Sequence, residues 1–153
     1  MKKYINQYKI GFSLYGLIAF ILQELPYIPW LLRPPMDNPL ANNYPAYIFL
    51  GVLEQMGGIL TVALLILVVR KQVKRPNYKS IFFTLTLICL ITYYICWICY
   101  FAGITNTLLI IGLSAIVPIY YCFVALWNKN YFAVVTSAIF FIGHTVSNMI
   151  NFL

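Results

Sequence analysis

Five runs of about twenty apolar residues take up most of this chain, at residues 10–32, 46–69, 80–101, 107–127 and 131–152. A helix needs about 20 such residues to cross the hydrocarbon layer of a bilayer. No water reaches backbone N–H and C=O groups in that layer, so each run must bond its own backbone, as a helix does. The runs predict an all-α membrane protein, a single domain over 1–153 built as a bundle of five transmembrane helices. A soluble helical domain fails on composition. Of the residues, 63% are hydrophobic and 8% charged, against roughly 25% charged in soluble domains. The first run follows Lys2, Lys3 and Lys9, as a signal peptide would. It is too long for one and lacks a small-residue cleavage site, so it reads as a retained helix.

Positive charges set the expected orientation. Lys2, Lys3 and Lys9 precede the first run. Arg70, Lys71, Lys74, Arg75 and Lys79 separate the second from the third, and Lys129 separates the fourth from the fifth. The alternate connections hold Arg33 alone, nine basic residues against one. Lysine- and arginine-rich connections stay in the cytoplasm, which predicts the N-terminus inside and the C-terminus outside. Tyr27, Trp30, Tyr44, Tyr47 and Tyr100 then fall at the outer interface, and Tyr8, Tyr78, Trp127 and Tyr131 at the inner one, where amphipathic rings anchor spans.

This asymmetry accounts for the net charge of +7. No segment outside the runs is long enough for a nucleic-acid module, so nucleic acid is not an expected partner. Membrane lipids are, together with a small-molecule or ion ligand. Five helices make a small bundle, so a continuous pore would require a homodimer. A composition rich in Ile, Lys, Asn and Tyr fits an AT-rich bacterial genome and a cytoplasmic-membrane location.

Ionisable residues inside the runs are few and share one level. Glu24 lies eight residues before the end of the first run, Glu54 eight after the start of the second, and His144 eight before the end of the fifth. At 1.5 Å per residue, each is about 12 Å below the outer boundary. A charge at such depth costs something like 2.5–3.5 kcal/mol on insertion scales, so its presence points to a site. Tyr93 and Ser114 fall at the same level. Ser137, His144, Asn148 and Asn151 share one face of the fifth helix, as Cys89, Tyr93, Cys96 and Tyr100 do in the third. Pro26 and Pro29 free carbonyls near Leu22 and Leu25, and Gly57 and Gly58 permit close helix approach. Leu22-Gln23-Glu24-Leu25 and Leu53-Glu54-Gln55-Met56 match weakly across a spacing of 31, with acid and amide exchanged.

These positions predict a polar pocket in the outer half of the bilayer, with Glu24, Glu54, His144, Asn148 and Tyr93 as ligand-binding residues. The expected function is ligand binding or proton-coupled small-molecule transport. Two alternatives use the same residues differently: an intramembrane enzyme (hydrolytic or metal-dependent) built on the Glu/Glu/His cluster, and a non-catalytic interaction or immunity-type protein. The bland reading is that buried polar groups join helices, at about 0.6 kcal/mol per hydrogen bond.

Sharper chemistries have less support. One histidine without an HExxH pair is thin for a metal site, and neither metal nor cofactor is expected. Gly112-Leu113-Ser114-Ala115 lacks the glycine that follows the serine of rhomboid proteases. Glu54-Gln55 lacks the arginine that would accompany a CAAX-protease reading of His144 and Asn148. Cys96 and Cys99 form a CxxC inside a helix with no loop cysteine to relay electrons, which reads as two apolar thiols. The run from Arg70 to Arg75 is sufficiently explained as a topology determinant, and is compatible with anionic lipid headgroups. The connection at 33–45 carries Pro34, Pro35, Pro39 and Pro45 and should be stiff, a fixed lid or a spacer.

Overall fold

The computed structural model describes residues 6–71 and 77–153. Lys2, Lys3 and the part of the basic run at 72–76 lie outside the described residues. In chain order the elements are strand β1 (Tyr8–Ile10), helices α1 (Leu14–Glu24) and α2 (Tyr27–Leu32), a single 3-10 turn (Pro39–Asn42), α3 (Ile48–Leu67), strand β2 (Val68–Arg70), α4 (Ile81–Phe101), α5 (Thr107–Trp127) and α6 (Tyr131–Phe152). Helices α1 and α2 together form one span, Leu14–Leu32. With α3 to α6 this makes five helices long and apolar enough to cross a membrane, by length and composition.

The all-helical expectation needs correction at one end of the bundle. The first helix starts at Leu14 rather than at 10, and the second ends at Leu67 rather than at 69. The residues between form an antiparallel ribbon that pairs Tyr8 with Arg70, Lys9 with Val69 and Ile10 with Val68. The local chemistry favours this. Gly11 is a poor helix residue, and the Ser13 side chain caps α1 by accepting the Gly16 N–H at 3.1 Å. Val68 and Val69 are β-branched. Gly11 N–H donates to Leu67 O at 2.9 Å and Ser13 N–H to Ile66 O at 2.8 Å, so the ribbon satisfies the last carbonyls of α3.

Helices α3 and α6 form the largest helix–helix contact, followed by α6 with α5 and α5 with α4. The first span lies across the groove between α3, α5 and α4. Gly16 brings it against the Leu65 carbonyl, the Tyr120 hydroxyl donates to Ala19 O at 3.0 Å, and the Tyr94 hydroxyl donates to Leu22 O at 2.7 Å. That last bond has a sequence cause. Pro26 has no N–H to return to the Leu22 carbonyl, so the freed acceptor takes a tyrosine from α4. The carbonyl of Leu25, freed by Pro29, is met by the Ile28 N–H at 3.2 Å.

Small residues let α3 and α6 run antiparallel at close range. A Cβ on Gly57 would stand 2.7 Å from Phe140 N, and one on Gly143 would stand 2.9 Å from Glu54 Cα. Polar pairs continue the seam: Ala46 N–H donates to Ser147 Oγ at 3.2 Å, and Thr61 Oγ1 to Thr136 Oγ1 at 2.9 Å. Asn130 closes the far end. Its carbonyl oxygen caps α6 at Ala133 N–H, while its amide donates to Leu64 O and Val68 O at 2.7 and 3.0 Å.

Candidate functional site

Glu54 on α3 and His144 on α6 meet where the two helices come closest. His144 Nδ1 lies 2.9 Å from Glu54 Oε1, with the side chains 21% and 29% exposed. The contact follows from the seam, since Gly143 puts its missing side chain against the Glu54 backbone and so delivers the next residue beside the carboxylate. The pair shares one proton: the imidazole donates to a carboxylate, or a carboxyl donates to the imidazole. Phe140, one turn before His144, stacks on the ring with centroids 5.2 Å apart and planes at 30°, which fixes the imidazole's plane.

Two cavities flank this pair, and Tyr27, Glu54, Val117 and His144 belong to the walls of both. The smaller, about 190 Å³, also has Tyr93, Ser114 and Asn148 in its wall. The larger, about 560 Å³, has Glu24 in its wall with Glu54 and His144. The structure thus brings all five sequence-selected residues to the walls of two adjoining spaces, although not as one constellation. Among the described residues, no three His, Cys, Asp or Glu side chains converge as a metal would require.

The five differ in what they have left to offer. Tyr93 is 2% exposed, and its hydroxyl accepts from Gln23 Nε2 at 3.1 Å. The Gln23 carbonyl in turn accepts from the Tyr121 hydroxyl at 2.6 Å. Gln23 is thus the buried hub that joins the first span to α4 and α5. Asn148 is committed as well: its amide donates to His144 O at 2.7 Å, and its carbonyl accepts from Asn43 Nδ2 at 2.6 Å. Among the described residues the Glu24 carboxylate makes no hydrogen bond, and Glu54 meets His144 alone. Glu24, Glu54 and His144 therefore carry the chemistry still available to a ligand.

The proline-rich connection lies over the smaller cavity. Leu40 and Asn43 enter its wall. Asn38 Oδ1 accepts from Trp30 Nε1 at 3.1 Å and from the Tyr100 hydroxyl at 2.7 Å. Asn43 Oδ1 accepts from Asn151 at 2.7 Å, and Asp37 accepts from the Thr105 hydroxyl. These bonds tie the connection to α2, α4, α6 and the α4–α5 turn, so it is a fastened lid rather than a spacer. Below it, the buried Trp97 Nε1–H has no hydrogen-bond partner among the described residues.

Sequence reasoning passed over Tyr27, Phe140 and Asn43. Tyr27 was readable as an interfacial anchor, and only its spacing of three from Glu24 hints at a shared wall. Phe140 stands at i−4 from His144, a spacing that stacks side chains on a helix. Ser114 lines the cavity with His144, but its hydroxyl donates to Ile111 O at 2.8 Å. Cys96 and Cys99 are free thiols on α4. Comparison with known proteins finds no family model that matches this chain, and no curated protein or solved structure that matches it.

Proposed function

We propose that this chain is a five-span integral protein of a bacterial cytoplasmic membrane that binds a small cationic or hydrogen-bonding molecule and exchanges protons as it does so. In this reading the N-terminus is cytoplasmic, the C-terminus is outside, and the fastened lid covers the outer end. The observation that carries the proposal is the Glu54–His144 contact of 2.9 Å in the wall of two cavities, with Glu24 also lining the larger. The pair keeps 21% and 29% of its side-chain surface exposed, it has two cavities against it, and a second carboxylate, Glu24, lines the larger.

The mechanism follows from charge. An incoming cation competes with imidazole for the Glu54 carboxylate. If the carboxylate carried the shared proton, binding releases it; if the imidazole carried a full charge, binding favours its neutral form. In either of these protonation states uptake of a cation is linked to release of a proton, which is the minimum a proton-coupled carrier requires; a neutral imidazole donating to an ionised carboxylate would bind the cation and release none. The hydrolytic alternative is less well supported, because the Ser114 hydroxyl is engaged on its own helix and, among the described residues, makes no bond to His144.

A thermal-shift screen in detergent tests the proposal, with wild type compared to His144→Ala and Glu54→Gln across pH, organic amines, divalent metals and lipids. The expected result is stabilisation of wild type by amines, weaker at higher proton concentration because proton and amine compete for the same site, and absent in Glu54→Gln. If no compound shifts wild type and His144→Ala melts like it, the pair is packing alone, and an interaction or immunity-type role becomes the better account.

A further inference from the structure

The larger cavity is polar at one end and apolar along its length. Glu24, Glu54 and His144, which lie at one level along their helices, all belong to its wall. From there the walls run down α1 by Phe20 and down α3 by Ile59, Val62 and Ala63. The groove lies between α1 and α3, on the flank of the bundle, where Ile59 on the rim is 65% exposed. Further along, Gly16 of α1 meets the Leu65 carbonyl and closes the gap between the helices. At about 560 Å³ the space falls in the range of roughly 300–1,000 Å³ that holds small organic ligands. The neighbouring cavity of about 190 Å³ does not.

We infer that the ligand of this groove is a long-chain primary ammonium, taken sideways from the bilayer, with its head at Glu24 and Glu54 and its chain along α3. The inference rests on the cation-binding reading above and adds the tail and the route. Charge complementarity argues for the head: two carboxylates and a single imidazole line this cavity, and Glu24 has no hydrogen-bond partner among the described residues, so a cationic head is favoured there and a phosphate or carboxylate head would be repelled. Shape argues for the tail. The nine helical steps from Glu54 to Ala63 span about 14 Å. A zigzag carbon chain advances about 1.3 Å per carbon, so the apolar stretch accommodates roughly ten or eleven carbons. Position argues for the route, since the rim is on an apolar flank and the lid covers a different cavity.

The test is native mass spectrometry of the full chain, released from a non-ionic detergent, with n-alkylamines from ethylamine to hexadecylamine and with dodecanoate and dodecanol. Wild-type affinity is expected to rise about two- to fourfold per added methylene and to level off near ten or eleven carbons. Dodecanoate and dodecanol should bind at least about tenfold more weakly than dodecylamine, a difference Glu24→Gln should erase. Ala63→Trp fills the apolar wall and should weaken dodecylamine but not ethylamine. If that variant does not fold, the chain-length plateau of wild type carries the test. Binding that ignores chain length but is lost in Glu54→Gln would overturn the amphiphile and leave the small-cation reading standing. Equal binding of amine, acid and alcohol would also overturn it, as detergent-like adsorption. No binding of any amine would overturn both.

Discussion

At Gly143 a methyl group would stand 2.8 Å from the Leu53 carbonyl carbon and 2.9 Å from Glu54 Cα, so the helices would have to part. Overpacking of this kind costs about 1–3 kcal/mol. Gly143→Ala should therefore lower the melting temperature in detergent and weaken any amine response, because it separates the two groups it was bringing together. Gly112→Ala is the control: nothing lies within 4 Å of its added methyl, and a helix gains from alanine, so it should melt at or slightly above wild type. These residues show what the sequence does and does not make legible. Counting along a helix gives depth, and depth places Glu24, Glu54 and His144 at one level. It does not give azimuth, so nothing in the count says that His144 faces Glu54 while Tyr93 turns to Gln23. Gly57 is readable as a contact residue. Gly143 matters more to the pair and carries no separate signal.

At the scale of elements, the first span depends on a repair from outside it. The Leu22 carbonyl, orphaned by Pro26, is satisfied by the Tyr94 hydroxyl. Tyr94→Phe should leave it unpaired and cost about 1–2 kcal/mol. In a Pro26→Ala background the helix supplies its own N–H, so the same substitution should cost markedly less. A double-mutant cycle read by thermal melting checks the difference. The lid makes a similar demand. Asn43 bonds both Asn148 and Asn151, so Asn43→Ala should speed hydrogen exchange and proteolysis across residues 33–47 while the helices stay protected. The stiffness of this segment was legible from its prolines, and its fastening was not, because the partners are distant in sequence. The ribbon of β1 and β2 was not legible either. Apolar β-branched residues at a run's end look the same in a helix and a strand.

For the whole molecule, five apolar helices were readable from run length alone, and six of their ten ends match the structure to the residue: Leu32, Phe101, Thr107, Trp127, Tyr131 and Phe152. Their order around the bundle was not, since it depends on side-chain fit between helices far apart in the chain. The proposed orientation has a direct check. A single cysteine added after Leu153, in a background with Cys89, Cys96, Cys99 and Cys122 replaced by serine or alanine, should react with an impermeant maleimide on intact cells. Reaction only after permeabilisation would place that end in the cytoplasm and remove the proposed topology. The seam between α3 and α6 has a consequence for how the molecule comes into being. A ribosome completes α3 with two helices still to be made before α6, so Glu54 is made without its histidine and with the glycine face of α3 bare. The proposed site is thus incomplete until α6 is in place. A chain stopped at Trp127 would display an unclosed polar cleft, the kind of surface on which a membrane's quality-control proteases can tell an unfinished product from a finished one.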